Sequence, residues 1–149
     1  MKERIREAVK ESGTLNEVRD NILALIKNMF EIEGVTQIGY VSGIITSDGP
    51  EKISENLNRL QKFTDLVRKT SDFPIFSSID VISDELFKRL GAAKIEQEVW
   101  RVFWREVLQS PYVTDMFMTP GWEQSRGALD EFQTAKATGK TLHYFNYQI

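Results

Sequence analysis

The sequence predicts a three-layer α/β sandwich around a parallel sheet of four to five strands, and three observations predict it. Short apolar runs alternate with longer segments in which apolar residues recur every three to four positions. The stretches between successive strand candidates are about twelve residues or longer, which a crossover between parallel neighbours requires. The first and third strand candidates run into glycine or proline, Gly43 and Thr119-Pro120-Gly121, as strands do before a loop.

Residues 1–34 read as an N-terminal helical extension and 35–149 as the α/β domain. Leu15, Val18, Ile22, Leu25, Ile26 and Met29 mark a helix face after a break at Ser12-Gly13-Thr14, where Thr14 is a capping candidate, and Gly34 ends it. Thr36 to Gly43 is the first strand, followed by a turn at Ser47-Asp48-Gly49-Pro50. Ile53, Leu57, Leu60, Phe63, Leu66 and Val67 then form one face of a long helix. Phe73 to Phe76 is a short strand despite Pro74, and it leads to Ser77 and Ser78. Helices follow near Ser83–Leu90 and Glu96–Leu108. In the second, the spacing of Trp100, Phe103, Trp104, Val107 and Leu108 fits a core face, with a ligand platform as the alternative. Tyr112 to Met118 is a strand, Ser125 to Thr138 a helix stopped by Gly139, and Thr141 to Phe145 the last strand.

The 149 residues, 41% hydrophobic and 11% aromatic, suffice for one domain with its own core. With 19 basic and 22 acidic side chains there is no basic face for polymeric nucleic acid, though a small anion remains possible. No cysteine is present and His143 is the sole histidine, so thiolate chemistry, histidine-based metal sites and His-dependent triads are not expected. The expectation is carboxylate chemistry with no metal and no cofactor. The charged start Met1-Lys2-Glu3-Arg4 does not resemble a secretory signal, and no run approaches the roughly 18 apolar residues of a membrane span, so a cytoplasmic protein is expected.

In parallel sheets, ligands bind beyond the carboxyl ends of the strands where strand order reverses, which directs attention to the segment from Ser42 to Thr46 and to Thr119–Gly127. The second opens a helix. Its unpaired N–H groups, with Ser125 and Gly127, suit an anion, while the plain alternative is an ordinary N-cap followed by a turn glycine. Glu131, six residues after Ser125, is either a dipole-complementing surface carboxylate or a group projecting into the crevice, placed to attack an electrophilic sugar carbon.

Two separated motifs carry a resemblance: Tyr40-Val41-Ser42-Gly43 at the first strand end, and Pro120-Gly121-Trp122-Glu123-Gln124-Ser125-Arg126-Gly127-Ala128 after the third, followed by Glu131 and Ala135. Over roughly residues 38–145 the chain resembles the nucleoside 2-deoxyribosyltransferase superfamily, especially its small branch with a Pro-Gly-Trp-Glu-x-Ser-x-Gly-Ala segment. The resemblance implies a Rossmann or flavodoxin-like sheet. It implies Glu131 as the nucleophile that attacks C1′ and displaces the base, and Tyr40 as the residue that orients it. It places the general acid at Glu106, with Glu123 as a rival, and the ligand against Gly43, Ile44, Thr46, Trp122, Glu123, Ser125 and Gly127. Serine rather than aspartate at 125 resembles the 5′-monophosphate hydrolases. The pattern departs at Ile44, where proline is common, at Thr46, near which an arginine is common, and at Gln133, where glycine is common.

The implied activity is hydrolysis or transfer at the N-glycosidic bond of a (deoxy)nucleoside 5′-monophosphate. Alternatives are a nucleotide-sensing module with weak turnover and an interaction protein using the N-terminal helices. The ligand would be a nucleotide or nucleoside. The resemblance also implies a homo-oligomer; the apolar Leu15–Met29 helix would either contribute to its interface or pack back on its own sheet, and the tail Asn146-Tyr147-Gln148-Ile149 would reach a neighbour's site.

Overall fold

A computed structural model describes residues 1–145; the tail from Asn146 to Ile149, and with it the expected reach toward a neighbour, lies outside the described residues. The chain forms β1 (Gly39–Ser42), β2 (Ile75–Ser77), β3 (Asp115–Met118) and β4 (Thr141–Tyr144), all parallel and in the order β2-β1-β3-β4. Among the described residues, seven α-helices flank them: α1 (Lys2–Val9), α2 (Leu15–Glu31), α3 (Ile53–Thr70), α4 (Ser78–Val81), α5 (Asp84–Arg89), α6 (Gln97–Leu108) and α7 (Arg126–Ala137). This is the expected three-layer sandwich of Rossmann or flavodoxin-like type.

Alternation along the strands sorts side chains into two cores. Tyr40, Phe76, Met116 and Met118 point to the larger one, with Ile5 of α1, Ile22 and Ile26 of α2, Trp104 and Val107 of α6, and Ala128 and Ala135 of α7. Val41 and Ile75 point to the other face, where Leu60, Phe63 and Val67 of α3 cover them. The first 34 residues are helical as their periodicity predicts. Their apolar stripes are buried in the same core as the sheet, with Ile5, Val18, Ile22 and Ile26 inaccessible to solvent.

Local chemistry sets the boundaries. Thr14 caps α2 by accepting from the Glu17 backbone N–H at 3.1 Å, and Ser83 does the same for α5 through Leu86. The strands are shorter than their apolar runs because the ladder extends only where parallel neighbours overlap; Tyr112 and Val113 lie before β3 rather than in it. Among the described residues no helix is long and apolar enough to cross a membrane.

Candidate active site

The reversal of strand order lies between β1 and β3, and there the two motifs converge. Thr119 donates from both its backbone N–H (3.0 Å) and its hydroxyl (2.9 Å) to the Ser42 carbonyl, fixing the end of β1 against the end of β3. Gly43 follows. A Cβ at that position would collide with the Thr119 hydroxyl, so glycine is required by close approach. Ile44 packs toward Gly121, whose φ of 86° turns the chain in the left-handed region before Trp122.

Glu131 reaches this strand end from α7. Ala128 and Ala135, three before and four after it, are small and buried, so the helix lies close on the sheet and the carboxylate between them faces β1. Tyr40 and Ser42 stand two apart on β1 and therefore share the face that meets it. The Ser42 hydroxyl donates to Glu131 Oε1 at 2.6 Å and the Tyr40 hydroxyl to Oε2 at 3.4 Å. The Tyr40 ring is held edge-on against Phe76 (5.1 Å) and tilted against Trp104 (5.7 Å).

Glu131 is only 8% exposed. Its carboxyl is raised to about 7: burial is the largest cause, the hydrogen bonds from Ser42 and Tyr40 hold it below what burial alone would give, and the charge of Asp130 adds to the rise. Burial, with the Glu131 charge next, raises the Tyr40 phenol well above its ordinary range, so it stays protonated and remains a donor. The result is a carboxylate with both oxygens fixed that titrates near neutrality.

The other expected ligand contacts fall differently. Ser125 is the N-cap of α7: its hydroxyl accepts from the Ala128 N–H at 3.1 Å and is buried. The Arg126 N–H is taken by the Ser47 hydroxyl, also at 3.1 Å, so part of the helix N-terminus is already satisfied from within the chain. At Gly127 a Cβ would meet only the Ser125 hydroxyl at 3.9 Å, ordinary contact, so glycine is not needed there for space. The Thr46 carbonyl accepts from Gly49 in the turn after β1. Trp122 is stacked on Phe132 at 4.4 Å and lies 6.3 Å from the Tyr144 ring, so its partner is α7 and the end of β4. Glu123 is exposed in the 3-10 turn Trp122–Gln124.

Glu106 is not at the site, contrary to its expected role as general acid. Trp104 faces Tyr40, and two residues further on a helix lies about 200° around the axis. Glu106 therefore emerges toward α2, where it pairs with Arg19 at 2.5 Å in a surface cleft that also includes Leu15 and Val102. Ser42 is the reverse case. It belongs to the first motif but received no role from sequence, although its i+2 relation to Tyr40 is the signal that places both on one face. His143 lies apart from Glu131, paired with Asp115 at 2.8 Å and stacked on Phe117.

No protein-family model, curated protein or solved structure matches the chain.

Proposed function

We propose that the protein cleaves or transfers at the N-glycosidic bond of a (deoxy)nucleoside 5′-monophosphate, with Glu131 as nucleophile. One observation carries this reading: a buried carboxylate at the topological switch point whose two oxygens are held separately by Ser42 and Tyr40. In the proposed reaction a Glu131 oxygen bonds to C1′ as the C1′–N bond breaks, and the bonding pair leaves with the base. Ser42 and Tyr40 hold the attacking oxygens in line. Water then attacks C1′ as the C1′–O bond to Glu131 breaks and its electron pair returns to the carboxylate, which releases the sugar phosphate, the proton lost by water balancing the one taken up by the base; a second base in place of water gives transfer. Because Glu106 is bound to Arg19, the leaving base draws its proton from solvent or from another group at the crevice mouth.

A second reading, a nucleotide-binding module with little turnover, is favoured by that same displacement of Glu106 and by a Glu131 carboxyl that is half protonated near neutral pH.

Base release from a panel of deoxynucleoside monophosphates separates the two. Since only the ionised carboxyl attacks, kcat/KM is expected to rise with pH and reach half its plateau near 7, the value of the Glu131 carboxyl. Activity that instead falls as pH rises through this range would make Glu131 a proton donor. Binding without base release would establish the module.

A further inference from the structure

We propose that Arg59 on α3 holds the anionic 5′-substituent of the ligand and so selects phosphomonoesters over free nucleosides; this rests on the nucleotide reading above. Arg59, Arg6 and Arg126 form no ion pair among the described residues, whereas Arg4, Arg19, Arg68, Arg89, Arg101 and Arg105 each meet a carboxylate. Arg6, whose guanidinium bonds the Ile79 carbonyl just past β2, and Arg126 are both exposed. Arg59 alone is both half-buried and fixed at the crevice. Its guanidinium donates through Nη2 to the Pro120 carbonyl at 2.9 Å and lies over the Phe63 ring, 5.1 Å from its centre.

A guanidinium carries five N–H donors, and this is the single hydrogen bond Arg59 makes among the described residues, which leaves most of the fork for a ligand. Pro120 follows Thr119, the residue bonded to the Ser42 carbonyl, and the Ser42 hydroxyl holds Glu131. The guanidinium is thus connected to the Glu131 carboxylate across the strand end through Pro120, Thr119 and Ser42. Leu60, next to Arg59, packs toward Gly43, and Asn56 one turn earlier donates to the Ile45 carbonyl at 3.1 Å, so this part of α3 is tied to the β1 loop. The carboxylates on these loops, Asp48, Glu51 and Glu123, are exposed, and Asp48 is held by Asn56 at 2.7 Å.

The test measures equilibrium binding of four deoxynucleosides and their 5′-monophosphates to the full chain, its Arg59→Met and Arg59→Lys variants, with base release followed in parallel. For the wild type the monophosphate is expected to bind about 10- to 100-fold tighter than its nucleoside, less so at high salt. Arg59→Met is expected to bring the ratio near one with nucleoside affinity unchanged. Arg59→Lys, which keeps the charge but not the fork, falls between and serves if the methionine variant fails to fold. A wild type with no preference, or a preference that survives in both variants, overturns the role of Arg59 and leaves the nucleotide reading in place. A preference that depends on Arg59 without any base release supports Arg59 and removes the enzyme. Binding of none of the probes overturns both.

Discussion

Glu131→Gln is expected to lower base release by about a thousandfold or more while making the fold more stable above pH 7. The amide has nearly the same shape, accepts from Ser42 with its oxygen and donates to the Tyr40 oxygen with its nitrogen, so both contacts at the end of β1 survive. What it lacks is the charge. The carboxyl of Glu131 titrates near 4.5 in an unfolded chain and near 7 in the fold, so the folded state holds the proton more tightly. That contribution to stability is complete below about pH 4.5 and is lost as pH rises through about 7. By pH 8 the native state carries a buried charge that costs up to about 3 kcal/mol, and the glutamine variant does not. Urea unfolding at acid and alkaline pH therefore shows the variant gaining on the wild type as pH rises. A stability difference independent of pH would show that the carboxyl is not perturbed by burial. A residue placed for its chemistry at a cost in stability behaves in this way.

Ile26→Ala in α2 is expected to cost about 2–5 kcal/mol, a large part of the roughly 5–15 kcal/mol that holds a domain of this size together. Ile26 is inaccessible to solvent and belongs to the cluster that contains Tyr40 and Trp104, so the cavity opens in the core that supports the site. Ile32, just past the end of the same helix and 77% exposed, gives the contrast: its alanine variant should differ from wild type by no more than about 0.5 kcal/mol. Denaturation midpoints at fixed slope compare the two. Near-equal effects would mean that α2 is not part of the cooperative core.

The elements were legible wherever periodicity was long. The faces of α2, α3 and α6 were marked by apolar residues at helical spacing, and these are buried or half-buried. In α7 the apolar pattern Leu129, Phe132, Ala135 misled at Leu129, which is 36% exposed, because the helix meets the sheet through Ala128, Glu131 and Ala135. Helix α4 was missed because four residues, Ser78 to Val81, are too few to show a period. At the site, Glu131 and Tyr40 were marked through the resemblance, whereas the short-range geometry that joins them to Ser42 went unused. Tyr40 and Ser42 share a face because strands alternate, and Glu131 faces the sheet because it lies between Ala128 and Ala135. Glu106 was misread because its direction depends on which side of α6 meets α2, and its partner Arg19 is 87 positions away. Arg59 was invisible for a similar reason: nothing near it in sequence shows that Pro120 will be its neighbour.

The most direct test of the central claim is the mass of the intact protein after brief exposure to the monophosphate that releases base fastest, followed by acid quench. The account predicts a covalent increment equal to one sugar phosphate, mapped by peptide digestion to Glu131 and missing from Glu131→Gln. Base release by the wild type with no adduct at Glu131, or with undiminished turnover in Glu131→Gln, would contradict it.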